Sequence, residues 1–152
     1  MTTKQKLPPN PFQHEILELV SKQRSKAKKV EILQEYANDA LKVLLIWNFD
    51  DTAISIIPKG NVPYTENEVP VGTDHTSLRV EYKHLYNFVK GGNDSLTSLR
   101  RETMFIQILE GLHPEEAKLL CLVKDKELQT KYKLTYEVVR EAYPDINWGG
   151  RS

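Results

Sequence analysis

The chain has 152 residues and sets 21 Lys and Arg against 21 Asp and Glu, a formal net charge of zero. Hydrophobic residues at 39% and charged residues at 28% suit one folded domain with a modest core and exclude a disordered chain. Neutrality argues against both a strongly cationic nucleic-acid coat protein and an acidic mimic of DNA.

Residues 1–9 read as a loose tail. Asn10-Pro11-Phe12-Gln13 predicts a helix start: Asn10 caps, Pro11 takes the first helical position and Gln13 completes a capping box. Phe12, Ile16, Leu19 and Val20 follow at helical spacing. A long second helix is predicted from about Lys26 to Asn48. Val30, Leu33, Ala37, Leu41 and Leu44 form one stripe on it, and Ile32, Tyr36, Ala40, Val43 and Trp47 another. Its last turns are apolar all round, which marks it as the hub of the core. Ala53–Ile57 is a short strand or a buried helical turn, a choice that periodicity leaves open over so short a run. Residues 58–74 contain Pro58, Gly60, Pro63, Pro70 and Gly72 and form a long connection of the kind associated with function or with wrapping over a surface.

Leu78, Tyr82, Leu85 and Val89 mark a third helix, stopped by Gly91-Gly92. Asp94 or Ser95 caps a fourth, carrying Leu99, Met104, Phe105, Ile106, Ile108 and Leu109 up to Gly111. His113 caps a fifth, with Pro114 at its first position and Glu115 and Glu116 in its first turn, running to about Glu127. Thr135 caps a sixth, with Leu134 packing on Val139, and Pro144 ends it. Residues 145–152 are an irregular tail. The sum is an all-α domain of about six helices, with at most a minor β pair near residues 53–71.

Motif chemistry is sparse. The histidines His14, His75, His84 and His113 show no HExxH and no pair at zinc-site helical spacing. Asp50-Asp51 and Asp74-His75 read as caps at element boundaries. Gly91-Gly92-Asn93 lacks the phosphate-loop pattern. The lone Cys121 sits in the apolar run Leu119–Val123 and reads as a buried thiol in a reducing compartment. No catalytic residue, metal ligand or cofactor site is indicated. Met1–Pro11 holds no apolar core, and the longest apolar run, Val43–Trp47, is far below the roughly 20 residues that cross a bilayer, so neither a secretory signal nor a membrane partner is expected.

Two features point to binding. Lys22, Arg24, Lys26, Lys28 and Lys29 are the densest charge run; the run is either a solvated link between helices or a phosphate contact, and no aromatic is interleaved for base stacking. The fifth and sixth helices make a poor helix-turn-helix pair, because their link is long and the second would expose Glu137 and Glu141 to phosphate. Trp148, followed by Gly149-Gly150-Arg151-Ser152, either tucks back to close the core or anchors a partner. Tyr64 in the long connection is a second anchor candidate, and Arg151 a third. Charge is uneven along the chain: residues 1–42 carry eight cations and five acids, residues 43–111 six and nine, and residues 112–152 seven of each.

Leu109-Glu110-Gly111-Leu112-His113-Pro114-Glu115-Glu116-Ala117, Leu122-Val123-Lys124-Asp125-Lys126, Lys131-Tyr132 and Pro144-Asp145-Ile146-Asn147-Trp148-Gly149-Gly150-Arg151 resemble a small-protein family of unknown function from T4-like tailed phages, marine and cyanobacterial ones above all. The resemblance is loose over residues 28–152 and more specific over 109–152. It implies no activity and no catalytic residues; it implies a phage setting, in the host bacterial cytoplasm or the virion. The expectation is therefore a non-enzymatic phage accessory or minor assembly protein that binds a phage or host protein, with Tyr64, Trp148 and Arg151 as anchors. The alternative is a nucleic-acid-binding regulatory module that uses residues 22–29.

Overall fold

The computed structural model describes Leu7, residues 11–66 and residues 76–149. Among these, eight α-helices follow in order: α1 (Gln13–Lys22), α2 (Lys26–Glu35), α3 (Asp39–Phe49), α4 (Leu78–Glu81), α5 (Ser98–Gly111), α6 (Pro114–Lys124), α7 (Leu128–Lys131) and α8 (Tyr136–Ala142). A 3₁₀ helix, Tyr82–Phe88, continues α4. The all-α expectation holds. In place of a β pair within residues 53–71 there are two isolated bridges, Ser55 with Val89 and Thr76 with Leu112. Ala53–Ile57 is thus neither a full strand nor a helical turn. It lies against the end of the 3₁₀ helix, where Ile56 N–H donates to Phe88 O and Lys90 N–H to Ile54 O.

The predicted long second helix is two helices. Asn38 breaks it: its side chain accepts from Leu41 N–H at 2.9 Å and starts α3 afresh. A short amide that bonds nearby backbone is a better cap than interior helical residue. The first helix also begins later than expected. Phe12 is its cap residue, and Glu15 reaches back to accept Phe12 N–H at 2.9 Å; Asn10 lies outside the described residues. Thr97, not Asp94 or Ser95, caps α5 through Arg100 N–H. Leu99, expected in the apolar stripe, is 76% exposed. Buried Arg101 takes the inward place instead and donates to the carbonyls of Asn87, Asn93 and Leu96. The fifth helix stops at Lys124, and Lys126, with φ at +58°, turns the chain into the unforeseen α7. His113 and Thr135 cap as expected, accepting from Glu115 N–H and Val138 N–H.

The core is one cluster centred on α3, whose Leu41, Leu44, Leu45 and Trp47 are buried with Leu17, Leu33, Phe88, Phe105, Leu120 and Val123. Trp47 lies parallel to Phe88 at 6.4 Å between ring centres, and Phe88 meets Phe105 edge-on at 5.1 Å. Trp47 Nε1 donates to Ser55 Oγ at 2.6 Å, and Ser55 Oγ donates to Lys124 O at 2.7 Å. That chain of bonds fastens the Ala53–Ile57 segment between α3 and α6. Gly92 lets the chain fold back over the 3₁₀ helix: a Cβ there would stand 1.8 Å from Tyr86 O.

A buried carboxylate joins three helices. Glu116 of α6 accepts Gln13 N–H at 3.0 Å and Leu78 N–H at 2.9 Å, so it satisfies the first turns of α1 and α4 together. Burial lifts its carboxyl above the ordinary range, and the two N–H donors pull it back. Glu116→Ala leaves two buried donors without a partner and is expected to cost about 2–4 kcal/mol of stability, read by urea unfolding at neutral pH.

Candidate functional site

Where α3 meets the 3₁₀ helix the packing leaves an apolar groove of about 230 Å³. Val43, Ile46 and Trp47 form one wall; Tyr82, Leu85, Tyr86 and Val89 form the other. Three residues per turn set Tyr82 and Leu85 in one row on the 3₁₀ helix, and Val89 follows it in extended backbone. Tyr86 is 53% exposed on the rim, and Ala53 also lines the groove. Val43, Tyr82 and Val89 belong to the predicted apolar stripes, which did not distinguish a core position from a groove wall. Tyr86 lies off those stripes, so spacing gives no signal for it. The one available signal was a helix carrying more apolar residues than one buried face needs.

The long connection is held down as far as Thr65. Lys124, fully buried, donates through Nζ to Pro58 O at 2.8 Å and Gly60 O at 3.0 Å and pairs with Asp125. Thr65 N–H donates to Glu110 at 2.9 Å. Tyr64 is half-buried and packs against the core, with its hydroxyl pushed up to about 12, by burial first and by nearby Cys121 next. Burial also pushes the Cys121 thiol up, which opposes formation of a nucleophilic thiolate. Tyr64 is thus turned toward the body of the protein. Residues 67–74 of this connection lie outside the described residues.

The tail also folds back. Trp148 Nε1 donates to Tyr143 O at 3.2 Å, its ring meets Tyr136 edge-on at 5.5 Å, and Gly149 N–H donates to buried Asp50 at 2.8 Å. Of the two sequence readings of Trp148, this geometry corresponds to closure of the core. Arg151 lies outside the described residues. Trp148→Ala is expected to cost about 1–2 kcal/mol, since a half-buried aromatic loses part of a full core contribution, and thermal unfolding measures it.

The basic run divides in two. Lys26 pairs with Glu137 of α8 at 2.6 Å, and Lys29 donates to Lys133 O. Lys22, Arg24 and Lys28 are exposed.

A titratable cluster lies between α1 and α6. The His14 ring stacks on His113 at 5.3 Å and on Phe12 at 5.6 Å. His14 is buried, and its Nδ1 has no hydrogen-bond partner. Burial chiefly lowers its pKa; His113 adds to that, while Glu18, Glu15 and Glu115 oppose it. The neutral ring is favoured in the fold, so the unfolded chain takes up the proton first. Stability is therefore expected to decline as pH falls below the ordinary 6.5 toward the lowered folded value. His14→Phe, which keeps the stacking, is expected to make the stability profile shallower over that interval, as denaturant titrations at stepped pH would read. Among the described residues no three His, Cys, Asp or Glu side chains gather to hold a metal, and no helix is long and apolar enough to cross a membrane. His75 lies outside them.

The chain belongs to a family of unknown function, DUF6433, whose profile matches residues 16–130. No curated protein and no solved structure matches it.

Proposed function

We propose that the protein acts without catalysis, by binding a protein partner that inserts an apolar side chain between α3 and the 3₁₀ helix. The observation that carries this reading is the groove itself: about 230 Å³, with apolar walls and Tyr86 standing half out of its rim. Exposed aromatic and aliphatic side chains around a ready-made concavity are the usual anchors of an interface. The groove replaces Tyr64 and Trp148 as the leading anchor, because both of those rings pack against their own chain. The setting is the one implied by the resemblance of residues 109–152: a tailed phage, with an accessory or minor assembly role in the host cytoplasm or the virion and a phage or host protein as partner.

Affinity recovery from phage-infected cells, read by mass spectrometry, tests this. Wild-type protein is expected to recover a specific partner. Tyr86→Ala, at an exposed position, is expected to cut recovery by an order of magnitude or more, as loss of an interface hot spot of about 2 kcal/mol would. Undiminished recovery by that variant would overturn the groove as the docking site.

A further inference from the structure

Cations from separate parts of the chain come together around the α1–α2 link. Lys22 ends α1, Arg24 lies in the link to α2, and Lys28 stands in the first turn of α2; all three are exposed. Lys133, also exposed, joins them from a distant stretch of sequence. Its N–H donates to Ser21 Oγ at 2.9 Å, and its carbonyl accepts from Lys29 Nζ. Lys22, Arg24 and Lys133 have no ion pair among the described residues. Lys28 reaches Glu31 only at 3.9 Å, with both side chains exposed. Glu137 and Glu141 are drawn to Lys26, at 2.6 and 3.9 Å, which leaves the rest of the cluster uncompensated. The acids flanking it in sequence are Glu18 and Glu31.

The side chains of Lys22, Arg24, Lys28 and Lys133 make no hydrogen bond among the described residues, and of the four only Lys28 meets an acid, at 3.9 Å. The first turn of α2 holds no acid and carries Lys26, Lys28 and Lys29, the sign that the helix dipole disfavours there. Like charges set together also repel. Lys26 and Lys29 recover that cost in their bonds to Glu137 and Lys133 O, whereas Lys28 recovers little, and a local rule broken without such a return marks a surface kept for something else.

We propose that this face binds the phosphodiester backbone of a nucleic acid, with Lys22, Arg24, Lys28 and Lys133 each against a phosphate. The chemistry is backbone contact without reading of bases. Tyr136, the exposed aromatic of nearby α8, already has the Arg140 guanidinium over its ring at 5.4 Å and Trp148 edge-on at 5.5 Å, so it is not offered to a base. A lipid surface fits less well. The other large exposed apolar residues, Ile54, Val80, Tyr86 and Leu99, lie on other elements, so none inserts beside these cations.

Fluorescence anisotropy with a labelled duplex and a labelled single strand tests the proposal. Four phosphate contacts predict a log–log salt slope of about −3.6 on duplex DNA and about −2.8 on a single strand. For the duplex that is about a hundredfold loss between about 50 and 200 mM salt. K22Q/R24Q is expected to make the duplex slope shallower by about 1.8, and K22E/R24E/K28E/K133E to abolish binding with the circular dichroism spectrum unchanged. Chemical-shift mapping on the wild-type protein, expected to centre on residues 21–29 and 133, keeps the test valid if a variant fails to fold. No binding to either probe at about 50 mM salt, an unchanged slope in K22Q/R24Q, or equally tight binding to polyglutamate or phosphatidylglycerol vesicles would overturn it. The variants leave the apolar groove untouched, so this proposal and the protein-docking reading fail separately.

Discussion

A helix that is apolar on every side must be surrounded, and the second half of α3 is such a helix. Leu44, Leu45 and Trp47 are buried in succession, so α6, α4 and the 3₁₀ helix are drawn around them. The same burial strands the polar ends of the helix. Its last carbonyls lie where water does not reach freely, and they take partners from distant parts of the chain. Lys126 Nζ donates to Trp47 O at 2.6 Å and Asp50 O at 2.8 Å, and Asn48 Oδ1 accepts Leu128 N–H at 3.0 Å. The left-handed backbone of Lys126 and the short α7 beyond it follow from that need.

Buried ionic side chains serve the irregular connections in the same way. Glu116 secures the starts of α1 and α4, Arg101 the turn after the 3₁₀ helix, and Lys124 the start of the long connection. Each bonds backbone groups that no helix or sheet provides for. A charge buried among several such partners is tolerable, whereas the same charge alone is not. With the connection fastened by Lys124 and the tail by Asp50 and Tyr143, their aromatic residues turn inward. The groove between α3 and the 3₁₀ helix is the apolar concavity left with an exposed aromatic rim.

The two proposed binding faces differ in origin. The groove is a by-product of core packing, since its walls are the outer edges of residues that also enclose Trp47. The cationic face owes nothing to the core. It is assembled from the α1–α2 link and the strand of chain before α8, held by bonds between Ser21, Lys29 and Lys133. A neutral chain can carry such a face because the compensating acids sit elsewhere: in the middle third of the sequence, and on α8, where Lys26 engages them.

Sequence alone determined what depends on near neighbours. The helical class, the caps at His113 and Thr135 and the central place of residues 41–47 all follow from spacing and local hydrogen bonding within a few residues. It did not show that Asn38 would interrupt a continuous apolar stripe, because a capping amide gains over a helical one only when the next helix has its own partners to pack against. Nor did it show that Trp148 would close on Tyr136, that Arg101 would displace Leu99 from the interior, or that Lys133 would complete the basic run. Those outcomes rest on contacts between residues far apart in the chain. Only the tertiary structure decided them, because which polar group is buried, and which partner satisfies it, depends on how the helices come together.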